Sequence, residues 1–166
     1  MRKRLIFLLC ILTLACGGLA ASRFAATVGT FGRPDAGSHA LFGVSWALHP
    51  RIEVEANAAF QLTPAAFSNI HGTLYLQIPV ASDLYRNDEK AVLYYNAYIG
   101  IGTFAEWEFS SSSITSYGVM MRIIPLSLGG PYYRTRERSA AFSLAYDLKT
   151  RSFGVYWNLF LFDYYL

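Results

Sequence analysis

The chain has 166 residues, of which 54% are hydrophobic, 16% aromatic and only 15% charged. This length fits one domain, and the charged fraction is well below the roughly 25% of an average soluble protein. Removing Arg2, Lys3 and Arg4 from the 14 basic residues leaves 11, which equals the number of acidic residues. The even balance excludes the basic surface that is typical of a nucleic-acid-binding protein.

The first 21 residues have the layout of a secretory signal peptide. Three basic residues precede an apolar run over residues 5–15, and small residues follow, which is the order found in such signals. We therefore predict a signal peptide over residues 1–21 and one mature domain over residues 22–166. Cleavage is expected after Ala20 or Ala21.

Both cysteines fall inside this predicted signal. Cys10 lies in the apolar run and Cys16 follows a Leu-Ala pair, so lipoprotein processing at Cys16 stays open as an alternative. In either case the mature chain is expected to contain no disulfide and no thiolate metal site.

Beyond residue 22, apolar residues alternate with polar or small ones, which is the period of a β-strand. No stretch there approaches the roughly 20 unbroken apolar residues of a membrane-spanning helix. Eight alternating stretches occur in chain order, over residues 23–29, 38–49, 51–62, 71–80, 91–109, 113–124, 139–149 and 152–166.

The fifth stretch shows most plainly what kind of barrel these strands would form. One of its faces is apolar from Leu93 to Phe109, while the other carries Asn96, two glycines and two glutamates. At 19 residues it is far longer than the usual five or six. A strand this long and two-faced is expected to cross a bilayer.

The last stretch alternates in the same way. Its apolar face is predicted to carry Phe153, Val155, Trp157, Leu159 and Leu161, opposite Ser152, Gly154, Tyr156, Asn158 and Phe160. This phase places Leu161 towards lipid and Phe160 inside the barrel.

Eight alternating strands can close in two ways. A soluble barrel puts its apolar face inside, whereas a membrane barrel puts it towards lipid. Here the polar faces are rich in Gly, Ser, Ala and Asn, which suit a narrow interior. Aromatic residues near strand ends match interfacial girdles, namely Trp46, Trp107, Tyr117 and Tyr146. We predict an all-β, eight-stranded antiparallel transmembrane β-barrel with meander topology, and a soluble periplasmic barrel is the alternative fold.

A local motif adds a family resemblance. Residues 75–102, YLQIPVASDLYRNDEKAVLYYNAYIGIG, place an aromatic-Leu-x-Ile-Pro strand and a turn before an aromatic strand with Gly-x-Gly. In this motif the chain resembles the small outer-membrane β-barrel family, which includes OmpX, OmpW and the membrane domain of OmpA. Residues 152–159, SFGVYWNL, are similar to the assembly signal of such barrels, although the chain ends in Leu166 where an aromatic residue is usual.

The resemblance implies an exported protein of the bacterial outer membrane. Its partners would be outer-membrane lipid and the barrel assembly machinery, which would engage the C-terminal strand, and the barrel would be a monomer. With periplasmic termini, the outer loops are expected near residues 34–38, 62–70, 109–113 and 148–150. The inner connections at 81–90 and 125–138 would be longer unless the strands extend beyond the bilayer on the periplasmic side, and the charged RTRER run at 134–138 is interpreted as a solvated turn.

Inward-facing charges fall in two predicted tiers. The periplasmic tier contains Arg23, Arg51, Glu53, Glu55 and Arg122, and the outer tier contains Arg33, Glu106, Glu108, Asp147 and Lys149. An eight-stranded barrel is just wide enough for side chains to fill it. Because isolated buried charges are costly, these residues are expected to pair into two lumenal salt-bridge clusters that plug the barrel.

No cofactor is expected, and the three histidines show no metal-ligand spacing. A structural or surface-interaction role is the main functional prediction. The resemblance also implies a conduit for a small hydrophobic molecule, lined by Phe31, Tyr98 and Phe104. A third possibility is a lipid A acyl-ester hydrolase, built from His39, His71, Glu106, Glu108 and the serines at 110–113.

Overall fold

The computed structural model describes residues 23–34, 37–49, 52–61, 68–87, 90–129 and 135–166. Eight strands form one closed sheet: β1 Arg23–Arg33, β2 Gly37–His49, β3 Ile52–Gln61, β4 Asn69–Asn87, β5 Lys90–Glu108, β6 Ser113–Gly129, β7 Thr135–Asp147 and β8 Ser152–Tyr165. Each strand pairs antiparallel with the next, and β8 closes on β1. The predicted eight-stranded meander barrel is therefore confirmed, while the predicted signal peptide and both cysteines lie outside the described residues.

The alternation in sequence becomes an alternation of burial. Along β3, Glu53, Glu55, Asn57 and Ala59 are buried, and the residues between them are more exposed. Successive side chains of a strand point to opposite faces of the sheet, so every second residue enters the lumen. No helix long and apolar enough to cross a membrane occurs among the described residues.

The turns after Glu108 and Asp147 lie where loops were predicted, whereas the terminal end of the barrel differs from the prediction. The terminal end, where the amide of Leu166 donates to the carbonyl of Phe24 at 2.9 Å, was expected to carry the longer connections. Instead, β4 continues to Asn87 and β5 begins at Lys90, while β6 continues to Gly129 and β7 begins at Thr135. The expected connections at 81–90 and 125–138 are wrong because the strands themselves extend through most of both ranges.

Three neighbouring strands each contain one extra residue at a similar height. The register shifts between Ile123 and Leu126 in β6 and at Ser139 in β7. A third shift occurs at Phe160 in β8, which has a positive φ of 54°. Such β-bulges leave one residue unpaired and change which face the following residues occupy.

The bulges overturn two sequence predictions. Phe160 is 77% exposed and Leu161 is buried, the reverse of the predicted phase. The run RTRER is not a solvated turn, because Arg136 and Arg138 belong to β7 and are fully buried in the lumen.

Candidate functional site in the barrel interior

The described interior is filled by three groups of side chains. We call the group nearer the terminal end the ionic layer, which consists of Glu53, Glu55, Arg122, Arg136, Arg138 and Asp163. The aromatic layer comes next and consists of Phe31, His39, His71, Phe104 and Tyr156. A rim pair, Arg33 and Glu106, lies beyond it towards the opposite end, where the β5–β6 and β7–β8 turns are.

Arg136 binds two carboxylates in the ionic layer. Its Nη1 and Nη2 donate to both oxygens of Glu53 at 2.6 and 2.5 Å, and its Nε donates to Asp163 at 2.5 Å. This is the bidentate geometry in which a planar guanidinium and a carboxylate match best. Thr27 adds a hydroxyl hydrogen bond to Asp163 at 2.6 Å.

Glu55 connects the other two arginines. It accepts from Nη1 of Arg122 at 2.7 Å and from Nη1 of Arg138, whose Nη2 donates in turn to Asp163 at 2.6 Å. The amides of Asn57 and Gln77 also donate to Glu55, at 2.8 and 3.1 Å. All six charged groups therefore belong to one connected network.

The ionic layer is electrically neutral, since three arginines face three carboxylates. Its arginines also lie against tyrosine rings, with the guanidinium of Arg122 4.5 Å from the Tyr75 ring centre. The guanidinium of Arg136 lies 5.5 Å from the ring of Tyr98 and 5.6 Å from that of Tyr165. Buried ions are tolerated when they are paired, so this layer can fill the lumen without an isolated charge, although Nε of Arg122 and Nε of Arg138 have no hydrogen-bond partner among the described residues.

The aromatic layer is packed around His71. Its imidazole stacks on Phe31 with ring centres 4.5 Å apart, and it lies 5.5 Å from Phe104 and 5.3 Å from Tyr156. His71 is only 3% exposed, and neither ring nitrogen has a hydrogen-bond partner within the described part of the chain. The layer therefore fills this part of the lumen with packed rings and contains an unsatisfied polar group.

Glycines in the strand walls make room for these large side chains. A Cβ at Gly118 would meet the carbonyl oxygen of Tyr146 and would lie 2.9 Å from the Phe104 ring. A Cβ at Gly102, in the Gly-x-Gly of β5, would lie 2.7 Å from the Tyr75 ring. The glycines therefore serve packing, as expected for glycine inside a strand.

The rim pair lies near the opposite end. Arg33 donates to both oxygens of Glu106, at 2.6 and 3.2 Å, and the side-chain amide of Asn69 donates to Glu106 at 2.5 Å. This ion pair is only partly buried, because the Arg33 side chain is 24% exposed. A partly exposed ion pair of this kind contributes at most about 1 kcal/mol to stability.

The structure brings together some of the predicted charges and separates others. Glu53, Glu55 and Arg122 lie in the ionic layer, and Arg33 pairs with Glu106 at the rim. The side chain of Arg23 and the whole of Arg51 lie outside the described part of the chain.

The remaining predicted charges lie at strand ends or in a turn, and their contacts are hydrogen bonds. Asp147 accepts from the Ser116 hydroxyl at 2.6 Å and from the amides of Lys149 and Thr150. Glu108 accepts from Ser111, and Lys149 donates to the carbonyl of Ile114. These contacts stabilise the ends of strands.

Sequence reasoning missed Arg136, Arg138 and Asp163, which take part in four of the six salt bridges among the described residues. A bulge separates each of them from the regularly alternating part of its strand. The bulge at Ser139 separates Arg136 and Arg138 from the rest of β7, and the bulge at Phe160 separates Asp163 from the rest of β8. One signal was available: the arginines of RTRER recur at every second position, which places them on one face of a strand.

The residues proposed for the two other activities lie in different parts of the barrel. The serine run lies in the β5–β6 turn, where Ser111 bonds Glu108 and Ser113, while His71 has no hydrogen-bond partner. Phe31 and Phe104 lie in the aromatic layer, but Tyr98 lies beside Arg136 in the ionic layer. Within the described residues His71 therefore takes part in no Ser–His–acid relay, whereas Phe31, Tyr98 and Phe104 belong to one cluster of buried apolar residues.

Within the described ranges, no group of three or more His, Cys, Asp or Glu side chains could hold a metal ion. No protein-family model and no curated protein matches the sequence. Function is therefore inferred from the interior and the outer face of the barrel.

Proposed function

We propose that this protein is an integral β-barrel of a bacterial outer membrane, with a lumen closed by its own side chains. The observation that carries the proposal is the inverted distribution of polarity. The buried interior contains a network of six charged groups, whereas the outer face exposes large apolar side chains on all eight strands.

The apolar outer surface is too extensive for a typical soluble monomer. Among the described residues, 28 large hydrophobic side chains are exposed, whereas the largest apolar patch on such a monomer covers about 300–600 Å². In water this surface would drive association. In a bilayer the same surface would be solvated by lipid tails, as in outer-membrane barrels.

The height of the apolar surface fits a bilayer. On β6 every outward residue from Tyr117 to Leu126 is apolar and exposed, including Val119, Met121 and Ile123. Nine steps of about 3.3 Å, tilted by about 40°, give a band about 23 Å tall. The apolar belt of outer-membrane barrels is about 25 Å tall.

Aromatic residues border this band at both ends. Phe24 and Trp46 stack with ring centres 5.1 Å apart near the terminal end. Tyr146 and Phe153 lie 5.0 Å apart near the opposite end. Aromatic rings concentrate where a bilayer meets water, and their position supports a membrane environment for the surface between them.

A closed lumen favours a structural or surface-interaction role over transport. The ionic layer, the aromatic layer and the rim pair follow one another along the axis, and the first two consist of buried side chains. In this proposal an N-terminal signal exports the chain. The barrel assembly machinery then inserts it as a monomer through its C-terminal strand.

Fractionation and heat-modifiability test the proposal. The protein is expected in the carbonate-washed outer-membrane fraction, and its unboiled form is expected to migrate faster on an SDS gel than its boiled form. A closed barrel resists detergent, whereas the unfolded chain binds more of it. A single unshifted band from the soluble periplasmic fraction would contradict the proposal and favour the soluble barrel.

A further inference from the structure

A groove of about 320 Å³ lies on the outer face of the barrel, next to the bulges of β6, β7 and β8. Strand β7 forms its floor, and β6 and β8 form its two walls. The outward side chains that line it are Leu126 and Leu128 from β6, Glu137 and Ser139 from β7, and Phe160 and Phe162 from β8. The groove is therefore apolar on both sides and polar along its middle.

Phe160 is the most unusual residue of this groove. Its backbone has a φ of 54°, in the left-handed region that a bulky side chain rarely adopts. The bulge at this position is explained by Asp163, because the change of face turns Asp163 into the ionic layer. The phenylalanine is not explained in this way, since glycine or asparagine would adopt the same backbone with less strain.

The ring of Phe160 is 77% exposed. The ring therefore gains little stabilisation from packing inside the protein. It lines one side of the groove and makes the groove deeper. A strained residue with an exposed apolar side chain points to a contact outside the chain.

Glu137 supplies the charge of the groove. Glu137 is exposed, its neighbours across the two ladders are Leu128 and Phe162, and within the described residues it has no hydrogen-bond or salt-bridge partner. A carboxylate between apolar walls favours a cationic donor. Glu137 lies two residues from the start of β7 at Thr135, about 7 Å along the strand. Ser139 lies two residues further along β7 on the same face, away from the terminal end of the barrel.

We propose that this groove binds a phospholipid with a primary ammonium headgroup, phosphatidylethanolamine. The ammonium group donates to Glu137, the hydroxyl of Ser139 donates to a phosphate oxygen, and an acyl chain lies between Phe160 and Leu126. The order of the polar groups along β7 fits the lipid, because Glu137 lies nearer the terminal end than Ser139. In the lipid, the ammonium likewise lies further from the acyl chains than the phosphate does. The site rests on the proposed function, since the lipid reaches the groove from the bilayer.

The test compares two lipids that differ in headgroup charge. The full-length protein is refolded into vesicles of equal parts phosphatidylethanolamine and phosphatidylglycerol with identical acyl chains, and the lipids retained after mild detergent extraction are counted by native mass spectrometry. The wild type is expected to retain the ethanolamine lipid about threefold over the glycerol lipid, in line with one partly exposed ion pair.

Two variants separate the parts of the site. Glu137→Gln is expected to bring the retained ratio to about one, because it removes only the charge. Phe160→Asn keeps a residue that accepts the positive φ and is expected to lower retention of both lipids. Glu108→Gln, a carboxylate of the β5–β6 turn at the opposite end, is the matched control and should leave the ratio unchanged.

Equal retention of the two lipids by the wild type, or an unchanged ratio in Glu137→Gln, would overturn the site. A dimer that depends on Glu137 and forms without bound lipid would overturn it in favour of an interface between copies. Heat-modifiability of the same samples separates the two proposals. A shifted band without lipid preference leaves the barrel in the membrane and removes the site, whereas failure to insert removes both.

Discussion

The ionic layer predicts a large loss of stability from a single change of charge. Asp163→Asn keeps the shape of the side chain but removes the carboxylate that accepts from Arg136, Arg138 and Thr27. Three buried arginines would then face two carboxylates. Removing one partner of a buried ion pair costs about 3–5 kcal/mol, and we expect a loss near 3 kcal/mol because asparagine still accepts hydrogen bonds.

A second substitution should recover part of this loss. Arg138→Met in the Asp163→Asn background restores neutrality and leaves Arg122 with Glu55 and Arg136 with Glu53. Methionine also retains much of the apolar stem of the arginine. The loss of unfolding free energy in the double variant should therefore be about 2 kcal/mol smaller than the sum of the losses in the two single variants.

Equilibrium unfolding in urea measures these free energies. The refolded protein is unfolded in micelles or vesicles, and the fluorescence of its three tryptophans follows the transition. Glu108→Gln serves as the control, since the single serine partner and half-buried position of Glu108 at the end of β5 predict a change below about 0.5 kcal/mol.

Two results would refute the account of the ionic layer. A loss below about 1 kcal/mol in Asp163→Asn would mean that Asp163 is outside the network and that β8 lacks the bulge at Phe160. Additivity of the two substitutions within about 0.5 kcal/mol would mean that the charges are not coupled.

Three further predictions concern the filling of the lumen. Gly118→Ala should cost about 1–3 kcal/mol of unfolding free energy. Gly72→Ala should be nearly neutral, because a Cβ at Gly72 meets nothing closer than 3.7 Å. Equal effects of the two substitutions in urea unfolding would contradict the packing described. His71→Phe should raise stability by about 1 kcal/mol, since it replaces a buried imidazole without partners by an apolar ring; a clear loss in the same assay would show that the imidazole has a partner. The wild type should give no steady conductance in planar bilayers, and stable open channels would contradict the closed lumen.

The strand architecture was predictable because alternation is a local property of the sequence. In β3 each residue from Glu53 to Phe60 takes the face that its polarity predicts, so hydrophobicity alone sets its register. The same alternation carries Glu53, Glu55 and Arg122 into the lumen. It also carries Arg33 and Glu106 to the rim, where their pairing depends on closure of the barrel.

The other three residues of the ionic layer, Arg136, Arg138 and Asp163, could not be predicted because bulges change the alternation. A bulge changes the face of every later residue, and nothing in FLFDYY marks Phe160 as the residue that is left unpaired. The pattern on either side of Phe160 is apolar, so polarity does not reveal the change of phase. Arg136 and Arg138 were missed for the same reason at Ser139, although their spacing of two already favoured a strand.

Quenching of tryptophan fluorescence by brominated lipids tests the central claim most directly, because Trp46, Trp107 and Trp157 all belong to the outer face. The protein is refolded into vesicles whose acyl chains carry bromine, and its emission is compared with that in unbrominated vesicles and in urea. The account predicts strong quenching in the brominated bilayer and none in urea. Unquenched emission from protein that stays in the aqueous fraction would contradict it, because the apolar outer face would then lie outside the lipid.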